Sequence, residues 1–298
     1  MNAIYMVYLP LLIISLIKVT DAILAKYFQK SINISLDVLI AFNIYNAIIA
    51  CIYFSAADGF KISLNGITML FSLVYAFAVA SNHLLTFLSY SKTSVSFVSI
   101  VSTAGTIIVS TMFGLIFLDE TLSLKLFVSL VLLVLAVIIP GFDLLKDKSQ
   151  KNSIPILVSF FLISGALTII PKLYAGAQGV CSSNSFFFMT NVIMLLCAIL
   201  LFFIQAKGSA QEMKRILKIF SFSQLANIGV RNIICDISAI ITVAVLKYTD
   251  ISIFSIVTYS MILVISFLAS KFYFKEEIKL NNIISLVLTI LAIIINPV

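Results

Sequence analysis

The chain has 298 residues, of which 62% are hydrophobic and only 10% are charged, and its mean hydropathy is +1.19. A typical soluble protein carries about 25% charged residues, so this composition excludes a soluble globular protein and predicts a polytopic membrane protein. The formal net charge of +7 lies largely in the connections between apolar segments. It therefore reports membrane orientation, and we expect no nucleic-acid partner.

Apolar segments follow one another along the whole chain, and a helix needs about 20 such residues to cross a bilayer. The first segment has no basic region before it and no small-residue cleavage site, so we expect a transmembrane helix rather than a cleaved signal. The ten predicted helices are Ile4–Ala25, Leu36–Ala56, Ile67–Tyr90, Val95–Leu118, Leu122–Ile139, Ile154–Tyr174, Ser185–Gln205, Phe222–Leu246, Ile251–Phe274 and Leu280–Ile295.

One long stretch occurs twice. VSIVSTAGTIIVSTMFGLIFLDETLSLKLFVSLVLLVLAVII, from Val98 to Ile139, aligns without gaps with FSIVTYSMILVISFLASKFYFKEEIKLNNIISLVLTILAIII, from Phe254 to Ile295. Each copy predicts a long apolar helix, an acidic turn and a second apolar helix, and Glu120 of the first turn aligns with Glu276 of the second. Self-similarity at a constant offset indicates a duplicated unit. We predict two five-helix halves, residues 1–145 and 146–298.

The odd number of predicted helices in each half has a topological consequence. The second copy would cross the membrane upside down relative to the first, which is the inverted-repeat plan of many secondary transporters. Such transporters place the substrate site near the bilayer midplane between the repeats and open it alternately to the two sides. The predicted fold class is therefore an all-α polytopic membrane protein with ten transmembrane helices in two inverted five-helix repeats.

Two features are predicted to be structural. Glu120 and Glu276 lie at the tight turns, where each carboxylate can accept hydrogen bonds from exposed amides at the start of the next helix. The fourth predicted helix carries small residues four apart, which let helix backbones approach closely in lipid. The members of this stripe are Ser102, Thr106, Ser110 and Gly114. We expect the stripe to pack helices within a monomer, and a homodimer interface is the alternative.

The connection from Ala206 to Ser221 mixes apolar and basic residues. Met213, Ile216, Leu217 and Phe220 have the spacing of a short amphipathic helix that lies on the bilayer surface. A plain solvated loop fits the same residues.

Ionisable residues within apolar helices are costly and mark a pathway or a partner. Arg231 is the strongest candidate for contact with substrate, because a guanidinium stays charged and needs an anion or a wet cavity in lipid. A structural salt bridge to Asp236 or Asp21 is the alternative. Lys18 and Asp21, three residues apart, form either a substrate or ion contact or a local ion pair.

Further polar candidates lie near the middle of other helices. His83 is the only histidine, and it either relays a proton for coupled transport or is a packing residue. The remaining candidates either bind substrate or bridge and pack helices: Asn43, Asn46, Asn191, Asn227, Asp236, Tyr75 and Tyr259. No metal-ligand spacing, phosphate-binding loop or catalytic constellation is apparent, so we expect neither an enzyme nor a cofactor or metal site.

The repeated turn and helix resemble a known family. The chain resembles the drug/metabolite transporter superfamily, in particular its EamA-like members. The resemblance is carried by the short loops and by the two copies of the turn and helix, LDETLSLKLFVSLVLLVLAVII and KEEIKLNNIISLVLTILAIII. Glu120 and Glu276 match the glutamate that precedes a short polar step and the final helix of each repeat in that family. The chain departs from the family pattern in lacking tryptophan and in having Ser129 and Ser285 where a final-helix glycine is usual.

The resemblance implies a secondary carrier that moves a small metabolite or drug-like solute across the cytoplasmic membrane by alternating access, and we expect an exporter. A carrier of lipid-linked substrates or sugar nucleotides and a non-transporting accessory subunit are the alternatives. The lysine- and isoleucine-rich composition is typical of AT-rich bacterial genomes, which indicates a multi-pass protein of a bacterial inner membrane. The basic loops place both termini outside, whereas the family resemblance places them in the cytoplasm.

Overall fold

The structure, a computed structural model, describes residues 3–32, 35–92, 95–121, 123–146, 154–206, 209–272 and 280–295. These residues form only α-helices joined by short connections, so the predicted all-α class is confirmed. The eleven helices within the described ranges are α1 Ala3–Lys30, α2 Leu36–Ala57, α3 Gly66–Lys92, α4 Val95–Phe117, α5 Leu124–Lys146, α6 Ile154–Gly176, α7 Ser183–Ala206, α8 Ala210–Leu217, α9 Phe222–Leu246, α10 Ile251–Phe272 and α11 Leu280–Ile295.

Each predicted apolar segment corresponds to one long helix, and α8 is the additional short one. The bounds of α9 and α11 are those that the apolar runs predict. α1 and α5 run several residues past their predicted ends, to Lys30 and Lys146. Hydropathy marks the apolar part of a helix, whereas the backbone hydrogen bonds continue into its charged final turns, so hydropathy predicts these two helix ends too early.

Seven helices have the length and hydropathy of membrane spans, judged on the described residues. Their qualifying segments are Leu36–Ala57, Gly66–Thr86, Ile100–Phe117, Ile154–Gly176, Ser183–Ala206, Phe222–Leu246 and Ile251–Ala269. α5 and α11 add the shorter apolar stretches Leu124–Ala136 and Ile283–Ala292. The composition and the helix lengths are therefore those of a multi-pass membrane protein.

Serine side chains define several helix starts. Ser35 accepts a hydrogen bond from the Val38 amide at 3.3 Å and caps α2. Before α9, the Ser221 hydroxyl accepts from the Gln224 amide at 3.4 Å, and the Gln224 Oε1 accepts from the Ser221 amide at 2.8 Å. This reciprocal pair is a capping box, which satisfies two amides that the helix itself leaves unpaired.

The helices form two compact units. The first unit contains residues 1–19, 81–175 and 244–298, and the second contains 20–80 and 176–243. α1, α3, α6 and α9 contribute residues to both units, and each unit is described separately below. The predicted division of the sequence into halves at residue 145 stays a prediction.

In the first unit, α5 and α11 are joined by two reciprocal hydrogen bonds. The Ser129 hydroxyl donates to the Ala292 carbonyl at 3.0 Å, and the Ser285 hydroxyl donates to the Ala136 carbonyl at 2.5 Å. Ser129 aligns with Ser285 in the repeated stretch, and Ala136 aligns with Ala292. Because the later residue of α5 meets the earlier residue of α11, the two helices run antiparallel.

The small-residue stripe of α4 packs within the first unit. The Ser102 and Ser164 hydroxyls lie 3.1 Å apart, and the Ser110 hydroxyl donates to the Ser255 hydroxyl at 2.6 Å. A Cβ added at Gly105 would lie only 2.8 Å from the Phe161 Cα, closer than real Cβ contacts. The stripe thus brings α4 close to α6 and α10 of the same chain, which is the first of its two predicted uses.

In the second unit, α2 packs along α7. Near one end of the pair, the Phe54 and Phe187 rings stack with centroids 5.3 Å apart. Near the other end, the Gln205 amide donates to the Asp37 carboxylate at 3.0 Å. α2 and α7 therefore run antiparallel, with Ala47 and Met194 buried between these two contacts.

α8 is the helical alternative predicted for the connection between α7 and α9. Its apolar face is turned inward, because Ile216 is 1% exposed and Phe220, just after the helix, is 7% exposed. Ile216 and Phe220 therefore face the protein, whereas Leu217 is 39% exposed, and the position of the helix on the bilayer surface stays a prediction. Amphipathicity alone does not distinguish a protein-facing apolar stripe from a lipid-facing one.

Candidate functional site

The polar residues of α9 in the second unit form the best-defined candidate site. Arg231 Nε donates to Asp21 Oδ1 at 2.8 Å, and the two side chains are 15% and 25% exposed. This is one of the two salt bridges that the sequence left open for Arg231, and it joins α9 to α1. A ligand anion that binds Arg231 would have to compete with Asp21 for the guanidinium.

An aromatic cluster begins beside this ion pair. The Arg231 guanidinium carbon lies 5.8 Å from the centroid of the Phe42 ring, within the range of a cation–π contact. Phe42 packs against Phe28, with ring centroids 5.8 Å apart, and Phe28 packs against Phe220 at 5.5 Å. Because both charged side chains are largely buried, the attraction between them is stronger than at an open surface.

Two asparagines extend the site along α9. Asn227 Nδ2 donates to the Leu24 carbonyl of α1 at 3.4 Å, one turn before the Arg231–Asp21 pair. Asn232 Nδ2 donates to the Asn46 carbonyl of α2 at 2.6 Å. α9 therefore offers one polar face to α1 and another to α2.

The Asn227 side chain contains a buried acceptor. Asn227 Oδ1 has no hydrogen-bond partner among the described residues. A buried amide oxygen that lacks a donor costs roughly 1–3 kcal/mol, so a ligand hydroxyl or amine would relieve that cost.

Asp236 lies one turn beyond Asn232 on α9 and is 8% exposed. Asp21, not Asp236, bonds to the Arg231 Nε. Carboxylates that are buried to this degree are uncommon unless they are paired or functional. Substrate contact by Asp236 stays a prediction.

The other predicted residues of the second unit contact their own surroundings. Asn43 and Asn191 each donate to a carbonyl four residues earlier in their own helix, at 2.9 Å. The Tyr75 ring packs against Phe186 and Phe187, with centroids 5.3 and 5.9 Å apart. These contacts show packing and local bonds, and substrate contact by these residues stays a prediction.

Three of the residues predicted to contact substrate, ion or proton belong to the first unit. The Tyr259 hydroxyl lies 3.2 Å from the Thr168 hydroxyl, which links α10 to α6. Lys18 on α1 and His83 on α3 are half-buried. Their predicted roles in ion or proton contact stay predictions.

Glu120 bonds to a helix start in the first unit. Its carboxylate accepts from the Ile251 amide at 2.7 Å and from the Ser252 amide at 3.2 Å, and the Ser252 hydroxyl donates to it as well. The capped helix is α10, rather than the next helix along the chain. An anion at a helix N-terminus is stabilised by the exposed amides and the helix dipole. Glu276 lies outside the described residues.

Two contacts of the site were not predicted from the sequence. The Phe42 ring beside Arg231 gave no signal, because it is one of 25 phenylalanines in an apolar chain. The Asn46 contact uses its backbone carbonyl, which no side-chain pattern reveals. A metal site is a separate question, and no group of three potential metal-ligating side chains occurs in the part of the chain that the structure describes.

Comparison with known proteins shows that the chain shares its fold with a solved structure. No family model matches the chain, and no curated protein matches it either. A solved structure titled "Crystal structure of protein" is similar, with a TM-score of 0.62 and 14% sequence identity, and the match covers 96% of this chain and 95% of that one. At this identity the likeness shows a shared fold along almost the whole chain, and nothing about activity.

Proposed function

We propose that the chain is a secondary transporter of ten membrane spans in two inverted five-helix repeats, an EamA-like member of the drug/metabolite transporter superfamily. It exports a small metabolite or drug-like solute across the cytoplasmic membrane by alternating access. The observation that carries this proposal is the pairing of counterpart helices. α2 with α7, α4 with α10 and α5 with α11 each join a helix of the first predicted half to its counterpart in the second.

The direction of these pairs supports inversion. The Ser129–Ala292 and Ser285–Ala136 bonds make α5 and α11 antiparallel, and the contacts at both ends of α2 and α7 do the same for that pair. On α4, Ser110 meets Ser255, and the later Gly114 approaches the earlier Ile251. Counterparts that pack antiparallel are expected when two repeats cross the membrane in opposite directions.

Helix starts agree with the duplication as well. α3 and α9 begin at Gly66 and Phe222, α4 and α10 at Val95 and Ile251, and α5 and α11 at Leu124 and Leu280. These three pairs of residue numbers have the same offset as the repeated sequence. A pair of equivalent repeats can exchange conformations, which gives the two access states that a carrier needs.

The substrate site of this proposal is the polar group of α9. Arg231 and Asp21 form a charged pair beside Phe42, and Asp236 and Asn227 supply further polar atoms. Arg231 favours a substrate that carries a carboxylate or phosphate, provided that the substrate displaces Asp21. A ligand of that kind gains strength from the partly desolvated guanidinium.

A ligand screen tests the site. Purified protein is heated with amino acids, nucleotides, sugar phosphates and quaternary amines, because a ligand that binds only the folded state raises the melting temperature. We expect a hit that is lost in Arg231→Lys and kept in Arg215→Ala, which removes an arginine that is 62% exposed. A hit that survives in Arg231→Lys would make the Arg231–Asp21 pair purely structural.

A further inference from the structure

The outward face of α8 has a different chemistry from its buried face. Lys214 and Lys218 lie four residues apart and are exposed, and Leu217 between them is 39% exposed. Residues at this spacing share one side of a helical turn. Ile216 and Phe220 lie on the other side and are buried. The exposed face is thus basic at its edges and apolar between them.

Contacts within the second unit hold α8 in this orientation. Arg215 forms ion pairs of 2.7 Å with Asp37 and 2.8 Å with Glu212. The Tyr45 hydroxyl donates to the Leu217 carbonyl at 2.7 Å. With Ile216 and Phe220 buried, these bonds fix the rotation of the helix, so the two lysines stay on the outside.

The neighbouring helices place α8 at the membrane surface. α7 ends at Ala206 and α9 begins at Phe222, and both have the length and hydropathy of membrane spans. A helix between two successive spans lies at the level of the lipid headgroups. Phe222 is 88% exposed at the start of α9, so an apolar ring faces outward at this level.

Charge at this level is unbalanced. The described part of the connection, 209–221, carries Lys214, Arg215 and Lys218 against the single acid Glu212. The charge of Arg215 is already balanced by Asp37 and Glu212, whereas no described carboxylate forms a salt bridge with Lys214 or Lys218. Lysines held at a headgroup surface attract anionic lipids, and their alkyl stems can lie along the apolar surface beside them.

We propose that the exposed face of α8, formed by Lys214, Leu217 and Lys218, is a binding surface for anionic phospholipid headgroups. The lysine ammonium groups bind the lipid phosphates, and Leu217 and Phe222 rest against the upper acyl chains. This surface does not depend on the proposed transport activity, because it uses none of the residues of the α9 site. It requires only that α7 and α9 cross the bilayer.

The test measures which lipids the protein retains. The full chain is reconstituted in nanodiscs of phosphatidylcholine and phosphatidylglycerol in equal parts, extracted gently, and analysed for bound lipid by native mass spectrometry. We expect the wild type to retain phosphatidylglycerol preferentially and the double variant Lys214→Gln/Lys218→Gln to lose this preference, by roughly five-fold for each lysine removed.

A matched control removes the same charge elsewhere. Lys61 follows the far end of α2 from α8, Lys247 follows the far end of α9, and both are exposed. Lys61→Gln/Lys247→Gln is expected to retain phosphatidylglycerol as the wild type does. An equal loss in this control would show a general effect of net charge and overturn the proposal, as would full retention in the α8 variant.

A charge-preserving variant separates binding from misfolding. Lys214→Arg/Lys218→Arg keeps both positive charges and is expected to keep the preference. If the arginine variant folds, as judged by its circular dichroism, and still loses the preference, electrostatic binding of headgroups is wrong. The Debye length shortens as salt is added, so charges on the lysines and the headgroups are screened more strongly. The preference of the wild type is therefore also expected to fall as ionic strength rises.

Discussion

Arg231 and Asp21 form one short ion pair, although they lie 210 positions apart in the chain. With exposures of 15% and 25%, the pair lies between the exposed and the fully buried case. Exposed pairs contribute about 0–1 kcal/mol, and removal of one partner from a buried pair costs about 3–5 kcal/mol. Most of that larger cost arises because a charge is left in low dielectric without its partner.

We expect Arg231→Gln and Asp21→Asn each to lower the free energy of unfolding by about 2 kcal/mol. The double variant should cost less than the two single changes together, since neither charge is then left alone. Thermal unfolding of the four proteins in one detergent gives this coupling directly. Additive effects would show that the two side chains do not interact.

Arg215→Gln is the control for that experiment. Arg215 is also an arginine in ion pairs, with Asp37 and Glu212, but it is 62% exposed. Its replacement should cost at most about 1 kcal/mol, because water screens the charges. A cost equal to that of Arg231→Gln would mean that burial does not set the strength of these pairs.

The sequence predicted that Arg231 needs a partner, because a guanidinium in an apolar helix cannot lose its charge. It did not decide between Asp21 and Asp236, since that choice depends on how α1 and α9 pack. The same limit applies to Glu120. Its role at a helix start follows from its charge, but the choice of α10 over the next helix depends on tertiary structure.

The importance of a glycine for helix packing depends on its position in the chain. At Gly105 on α4, an added Cβ would overlap the backbone of Phe161 on α6. Backbone atoms cannot move aside as a flexible side chain can, so the two helices must separate. At Gly229 on α9, the nearest atom to an added Cβ is the Ile49 Cδ1 at 3.9 Å, an ordinary contact.

The same substitution should therefore have opposite effects at these two glycines. Gly105→Ala should lower the free energy of unfolding by about 1–3 kcal/mol through overpacking. Gly229→Ala should raise it by about 0.5–1 kcal/mol, because alanine has the higher helix propensity. Melting temperatures of both variants check this, and a stable Gly105→Ala protein would contradict the close approach of α4 and α6.

At the level of elements, much of the fold was predictable from the sequence. The starts of α2, α4, α6, α9, α10 and α11 follow from apolar length and the turn residues before them, such as Ser35 and Ser221. The burial of Ile216 on α8 and of Phe220 just after it was not predictable, because an apolar stripe can face either lipid or the protein interior. Contacts with α2 and α7 decide between them.

For the whole molecule, the proposed inverted repeat makes a topological prediction. The connection after α2 and the connection after α7 correspond in the two predicted halves. In an inverted duplication they lie on opposite sides of the membrane, and in a parallel duplication they lie on the same side. Lys61 and Lys218 in these connections are exposed.

Single cysteines should report this arrangement. In a protein whose four natural cysteines are replaced, we expect Lys61→Cys and Lys218→Cys to react with an impermeant maleimide from opposite faces of sealed vesicles. Labelling of both from one face would contradict the inverted repeat. The same vesicles also settle which side the termini occupy, for which basic loops and family resemblance give different answers.

Transport itself is the central claim, and saturable flux in proteoliposomes is the measurement that tests it most directly. Purified protein is reconstituted and assayed for movement of each ligand found in the thermal screen, beside empty liposomes and the Arg231→Lys variant. The account predicts flux that saturates with substrate concentration and falls at least about ten-fold in that variant, which corresponds to about 1.4 kcal/mol. Flux no greater than in empty liposomes, from folded protein that binds the ligand, would contradict it.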